Sequence, residues 1–203
     1  MNIGVVALLF LFPLFLLATS FTRIFIVLSF IRKGLGEIAL PSGQIMFGLA
    51  LLFSFLVMNE PFQKIYDQSL TPFLEGKKSG AQAIKESEIP LREFMSAQVS
   101  KSDLDFVSQY TKASVRSNSS PTPFLVLLGA FSLSELKKGL YLGFIIWVPF
   151  LIIDLLSSLL ISTLSLHTLN VQIVSIPLKV LLFLALDGWK LLFGTIAESY
   201  WVR

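Results

Sequence analysis

Four long apolar stretches and one polar region divide the chain. A helix that crosses a bilayer needs about 20 mostly apolar residues, and each stretch is long enough or nearly long enough to do so. The pattern therefore predicts hydrophobic helices rather than strands or surface segments. The four stretches are residues 3–31, 44–59, 139–164 and 171–197.

The polar region, residues 60–122, carries eight Lys or Arg and eight Asp or Glu. Apolar side chains recur there at helical spacing, which predicts two or three amphipathic helices. Pro90 suits the first position of one helix, and Ser102 followed by Asp105 suits a cap. The segment 76–85 is rich in Gly, Lys, Ser and Ala and is a predicted loop.

These patterns predict an all-α fold in which two hydrophobic helical hairpins, nominally four membrane helices, flank a polar helical domain. Ser132 and Glu135 have capping-box spacing, which predicts the start of the third hydrophobic helix. A bend centred near Asn170 separates it from a last helix that is predicted to run from Pro177 to about Ala197. The predicted domains are residues 1–59, 60–122 and 123–203.

The first apolar stretch has some features of a secretory signal peptide. It lacks the cationic flank of such a signal, because no Lys or Arg precedes Arg23. The apolar run also resumes directly after Arg23. We therefore interpret it as a retained hydrophobic helix.

The composition supports an integral membrane protein. Hydrophobic residues make up 54% of the chain, charged residues 14%, and the mean hydropathy is +0.77. A soluble helical protein would have too little polar surface to cover several such helices. The net charge of +3 and the lack of a basic stripe predict no nucleic-acid partner.

Few residues of the chain could support enzyme chemistry. The absence of cysteine excludes a disulfide framework, a thiolate metal site and a cysteine nucleophile, and His167 is the single histidine. The sequence contains no phosphate-binding glycine loop, HExxH or GxSxG motif. We predict no catalytic residues, metal or cofactor, and no enzyme activity.

Charged residues inside the apolar stretches are the best candidates for a site, because a charge there is costly. About a bend at Asn170, Asp154 and Asp187 are predicted to lie at similar depth, with Lys190 on the same helix face as Asp187. Two hypotheses follow: a proton or ion relay, or an ion-pair network that fixes helix packing. The network residues, within or between subunits, are Arg23, Glu135, Lys137, Asp154, Lys179, Asp187 and Lys190.

Several longer strings occur in order along the chain: Thr19-Ser20-Phe21-Thr22-Arg23-Ile24, Gly48-Leu49-Ala50-Leu51, Pro90-Leu91-Arg92-Glu93-Phe94-Met95, Pro149-Phe150-Leu151-Ile152-Ile153-Asp154-Leu155, Pro177-Leu178-Lys179 and Asp187-Gly188-Trp189. Together they resemble the FliP family. That family includes the flagellar export-gate protein and its counterpart, the R subunit of virulence type III secretion systems. The resemblance covers essentially the whole chain, and two of the strings are more similar to the flagellar branch.

The resemblance implies a subunit of the protein-export gate with no chemistry of its own. The expected partners are further copies of the chain in a pentamer, FliQ- and FliR-like gate subunits, the surrounding basal-body ring and unfolded export substrates. The expected location is the bacterial inner membrane, within a flagellar or type III secretion basal body. In the family the nominal membrane helices are largely lifted above the bilayer plane, which favours Asp154, Lys179 and Asp187 as assembly contacts.

The resemblance also implies a channel constriction in the bend after Asp154. In the family this bend carries a run of methionines that seal the channel, because a thioether side chain repacks easily. The corresponding positions here are Leu164, Leu166, His167 and Thr168, of which two are polar. The alternative function is a small ion- or proton-coupled transporter that uses Asp154 and Asp187.

Overall fold

The computed structural model describes residues 12–36, 42–111, 122–165 and 168–201. All regular structure within these ranges is helical, so the all-α prediction is confirmed. Residues 12–17 form α1. The remaining helices are α2 (Phe21–Leu35), α3 (Gly43–Val57), α4 (Asn59–Ile65), a π-helical turn (Tyr66–Leu70), α5 (Thr71–Leu74), α6 (Gly80–Gln98), α7 (Lys101–Tyr110), α8 (Phe124–Thr163), α9 (Val171–Ala185) and α10 (Gly188–Trp201).

The third hydrophobic helix, α8, is longer than predicted. It starts at Phe124 and runs without a break for 40 residues. The predicted start at Ser132 is wrong, because the Ser132 hydroxyl donates to the Leu128 carbonyl at 2.8 Å within the helix instead of capping it. Pro149 lies inside α8 and does not end it.

The last apolar stretch forms two helices rather than one. Asn170 caps α9, since its side chain accepts a hydrogen bond from the Gln172 amide at 3.0 Å. The helix therefore begins before Pro177, which lies inside it. It ends at Ala185, and α10 continues after a bend of 64°. The prediction of a single helix from Pro177 to Ala197 is wrong at both points.

Caps in the polar region also differ from the prediction. Ser79 and Gln82 form a reciprocal capping box, so α6 begins inside the predicted loop and continues through Pro90. Ser100, rather than Ser102, caps α7 by accepting from the Asp103 amide at 3.2 Å. Serine competes well for any nearby amide, and the spacing alone did not identify the correct cap.

The chain forms two compact units. The first unit comprises the described residues within Met1–Thr22 and Ser54–Lys137, and the second those within Arg23–Phe53 and Lys138–Arg203. In the first unit, the core joins α6 and the start of α8 to the residue after α1. Its buried members are Ala18, Met95, Leu127, Leu128 and Phe131.

The second unit is built on close helix contacts at glycine. A Cβ on Gly139 would lie 3.2 Å from Arg23 Cα, and one on Gly143 would lie 2.5 Å from the Phe30 ring. Residue numbers rise together along the two helices, so α2 and α8 run parallel. The missing side chains let their backbones approach closely.

One helix in the described part of the chain, α8, is long and apolar enough to cross a membrane by itself. Two further candidates exist only if a bent pair counts as one span: α3 with the helical segment 59–74, and α9 with α10. Four separate membrane helices are therefore not confirmed.

Candidate functional site

An ion pair joins α8 and α9 in the second unit. Lys179 Nζ donates a hydrogen bond to Asp154 Oδ2 at 2.6 Å. Only 5% of the Lys179 side chain is exposed, against 39% of the Asp154 side chain. A buried ammonium without a counter-charge is costly, so Asp154 offsets the cost of burying Lys179. The contact also aligns the two helices antiparallel about the bend that follows α8.

An open cleft of about 670 Å³ surrounds this pair, and we call it the polar cleft. The exposed side chain of Lys33, at the end of α2, also lines it. The amide side chains of Asn170 and Gln172 contribute from the start of α9. Polar groups from three helices therefore converge on one cleft of the second unit.

Asp187 does not lie opposite Asp154. It is exposed in the break between α9 and α10 with φ of 49°, a left-handed conformation that Asp tolerates better than most residues. It follows Lys179 by eight residues, or about 12 Å along a helix. The prediction that the two carboxylates share one depth is wrong, because Lys179 takes the position opposite Asp154.

Lys190 is exposed on α10 and does not share a helix face with Asp187, which precedes that helix. Within the ranges that the structure describes, neither residue has an ion-pair partner. The structure therefore brings together Asp154 and Lys179 and leaves Asp187 and Lys190 apart from them.

Arg23 is fully buried in the second unit. Its Nη1 donates hydrogen bonds to the carbonyl and the hydroxyl of Ser199, at 3.1 and 2.9 Å. The guanidinium carbon lies 3.8 Å from the centroid of the Tyr200 ring, a cation–π contact. Neither Ser199 nor Tyr200 was predicted as a partner, because a serine followed by a tyrosine near the end of an apolar stretch carries no distinctive signal.

A second charge cluster lies in the first unit. Asp103 is 3% exposed and accepts hydrogen bonds from the hydroxyls of Ser134, at 2.6 Å, and Ser100, at 2.7 Å. Its other carboxylate oxygen pairs with Lys137 on α8. Burial raises the pKa of Asp103, but the hydrogen bonds from Lys137, Ser134 and Ser100 together hold that pKa below its usual value of 3.8.

Lys137 and Glu135 were predicted from the sequence as network members, but Asp103 was not. Two features of the sequence could have identified Asp103. Ser100 lies three residues before it, and Ser134 and Lys137 share a face of α8. Glu135 itself is fully buried in the first unit.

The predicted constriction lies at the end of α8. Leu164 is 65% exposed, and Thr168 is also exposed. Ser165, between them, has φ of 57° and so turns the chain away from the helix. Leu166 and His167 lie outside the described residues. Among the residues that are described, no three His, Cys, Asp or Glu side chains lie close enough together to hold a metal ion.

A model of the FliP family matches residues 5–196. The chain belongs to the FliP family. This confirms the resemblance found in the sequence. Similar proteins, each named flagellar biosynthetic protein FliP, occur in Cereibacter sphaeroides (38% identity), Bacillus subtilis (36%) and Pectobacterium carotovorum (38%).

These matches cover most of the chain but different shares of the relatives. They include 90%, 91% and 92% of the chain, and 61%, 84% and 72% of the three FliP proteins in the same order. The chain thus spans less than two thirds of the Cereibacter relative. None of the three names denotes an enzyme.

Proposed function

We propose that the chain is a core subunit of the type III protein-export gate. It forms part of the channel through which unfolded flagellar proteins, or virulence effectors, cross the bacterial inner membrane. The observation that carries this proposal is the FliP-family match over residues 5–196, since the matching relatives are named as flagellar biosynthetic proteins.

The charge geometry supports a structural role over an ion relay. Asp154 is already neutralised by Lys179 at 2.6 Å, and the second carboxylate that a relay would use, Asp187, lies in another part of the unit. A buried pair of this kind fixes the register of two helices. This supports a gate subunit, whose charges organise packing, over a transporter that works by exchanging protons at Asp154 and Asp187.

The exposed apolar surface supports assembly with partners. Along α8, Ile152, Leu155, Leu156, Leu159 and Leu160 are each more than half exposed. Such a surface needs lipid or protein to cover it. The proposed partners are four further copies in a pentamer, FliQ- and FliR-like subunits and the basal-body ring, at the inner membrane.

The channel constriction is proposed at Leu164, Leu166, His167 and Thr168. The exposure of Leu164 and Thr168 at the end of α8 supports a role in contact with a passing chain. Leucine can seal such a constriction, whereas histidine and threonine make it more polar than a ring of methionines. We therefore expect a wetter seal than in family members with methionine at these positions.

The first experiment is native mass spectrometry of the detergent-extracted chain, alone and co-expressed with its candidate FliQ- and FliR-like partners. We expect a discrete homo-oligomer that takes up both partners. A stable monomer or simple dimer that ignores the partners would contradict the gate function and favour the transporter.

Asp154→Asn separates the two functions in a cell that lacks the native gene. A structural pair predicts loss of the oligomer together with loss of export and motility. An intact oligomer with lost proton-driven export would instead indicate a relay. Lys190→Gln is a matched control, because this exposed residue lies outside the pair and should leave both readouts unchanged.

A further inference from the structure

The second unit contains an apolar cavity of about 290 Å³ in addition to the polar cleft. We call it the elbow cavity, because residues on both sides of the bend between α9 and α10 line it. Its walls come from α2, α8 and both arms of the bend, and Thr195 is the single residue among them with a polar side chain. The lining includes Ile145, Phe150, Leu182, Phe183, Leu191 and Thr195.

The elbow cavity is larger than packing defects in protein interiors. A cavity of about 150 Å³ lined by aliphatic and aromatic side chains already binds a benzene-sized molecule. The elbow cavity is also open, since Ile145 is 49% and Leu191 60% exposed. Its volume is close to the lower end of the range of about 300–1,000 Å³ for small-molecule sites. An apolar, slender ligand fits these dimensions.

The elbow cavity and the polar cleft lie one helical turn apart on the same helices. On α8, Asp154 lines the cleft and Phe150, four residues earlier, lines the cavity. On α9, Lys179 lines the cleft and Phe183, four residues later, lines the cavity. Residues four apart share a helix face, so polar and apolar binding surfaces follow each other along two helix faces.

The charge of the cleft selects the polar part of the ligand. Lys179 and Asp154 neutralise each other, whereas Lys33 has no ion-pair partner among the residues that the structure describes. Its ammonium and the amide groups of Asn170 and Gln172 provide hydrogen-bond donors, and the described charged residues of the lining, two lysines and one aspartate, sum to +1. An anionic oxygen group is the complement of this set.

We propose that the polar cleft and the elbow cavity together bind one anionic phospholipid. The phosphate contacts Lys33 in the cleft, and an acyl chain occupies the cavity beside Phe183. The charge of the polar cleft favours an anionic headgroup. The apolar lining of the elbow cavity favours an acyl chain, which free phosphate lacks.

The test measures lipid retention on the full chain in detergent micelles by native mass spectrometry. Phosphatidylglycerol and phosphatidylcholine of equal chain length are titrated separately. We expect one phosphatidylglycerol per chain to be retained at least several-fold better than phosphatidylcholine. Equal retention of the two lipids would overturn the proposal, since it indicates a non-specific lipid shell.

Two variants test the two halves of the site. Lys33→Gln should weaken phosphatidylglycerol retention about tenfold, the size expected for losing one charge-assisted hydrogen bond, and substitution of the exposed α10 residue Lys190 by Gln is its control. Thr195→Phe should fill the cavity and reduce retention of phosphatidylglycerol, and substitution of the exposed α8 residue Leu140 by Phe is its control. An effect of Thr195→Phe with none of Lys33→Gln would mean an apolar ligand only and would overturn the proposal.

A competition arm separates lipid from free anion. Glycerol phosphate, which carries the headgroup charge without an acyl chain, should not displace bound phosphatidylglycerol at equal concentration. Full displacement would show that the cavity contributes nothing, and the phospholipid assignment would be wrong. Circular dichroism of each variant confirms that altered retention does not reflect loss of helix.

Discussion

Each of the two units contains an ion pair in which one member is almost fully buried, but the charge of the buried member differs. In the first unit the carboxylate is buried, with Asp103 4% and Lys137 60% exposed at the side chain. In the second unit the cation is buried, with Lys179 5% and Asp154 39% exposed. Asp103 also accepts hydrogen bonds from two serine hydroxyls, whereas among the described residues Asp154 is the one hydrogen-bond partner of the Lys179 side chain.

This difference predicts how strongly the stability of each unit depends on the exposed member of its ion pair. A buried charge with several hydrogen bonds tolerates the loss of an exposed partner, because the remaining donors still solvate it. A buried charge with one partner does not, because the loss leaves it uncompensated. The second unit should therefore be the more sensitive of the two to removal of the exposed member of its pair.

Asp154→Ala should have the largest effect. It removes the carboxylate from Lys179 and should destabilise the chain by about 3 kcal/mol, the low end for breaking a buried pair because Asp154 is partly exposed. The measurement is the free energy of unfolding in detergent by denaturant titration. The double variant Asp154→Leu/Lys179→Met should recover most of the loss, and failure to recover it would count against an ion-pair origin.

Gly188→Ala should have the next largest effect. A Cβ at this position would lie 2.3 Å from the Phe183 ring, which has to move, and overpacking of this kind costs about 1–3 kcal/mol. Gly194→Ala in the same helix is the matched control, since its Cβ would meet nothing within 4 Å. Thermal unfolding of both variants checks this, and equal melting temperatures would contradict close packing at the bend.

The sequence predicted helix type and buried charge well but helix ends poorly. Long apolar runs strongly favour helix, so the existence of α3 and α8 followed from the composition of their segments. The end points did not, because Ser100 and Ser102 are chemically equivalent caps two residues apart, and Ser79 starts α6 inside a predicted loop. Ser132 offered a cap that α8 does not use.

The sequence predicted which charged residues belong to the candidate site, but not which of them form an ion pair. Asp154 and Lys179 stood out because they interrupt apolar runs. Their pairing depended on the start of α9 at Val171, which places Lys179, eight residues later, opposite Asp154. A bend centred at Asn170 was the expectation, and it placed the wrong carboxylate beside Asp154.

Asp103→Asn should have a moderate effect that depends on pH. The pKa of Asp103 is lowered in the folded chain, so its contribution to stability is present above the usual value of 3.8 and is lost as the pH falls through the lowered pKa. At neutral pH the variant should cost about 1.5 kcal/mol, the low end for hydrogen bonds to a charged group.

Hydrogen exchange of the α7 amides, measured at neutral pH and at successively lower pH, checks this prediction locally. The native chain should lose α7 protection as the pH falls below 3.8, and Asp103→Asn should flatten that dependence. The same acid-induced loss in both proteins would show that another carboxylate is responsible.

Lys137→Gln should have the smallest effect and gives the sharpest test of the comparison. Its side chain is 60% exposed, and exposed ion-pair members contribute about 0–1 kcal/mol. Ser100 and Ser134 remain to solvate Asp103, so α7 protection at neutral pH should change little. Asp154→Ala removes the exposed member of the other pair and should cost several times more under the same conditions. Equal destabilisation by the two variants would show that the number of hydrogen-bond partners of the buried charge does not determine how sensitive each unit is to loss of the exposed partner.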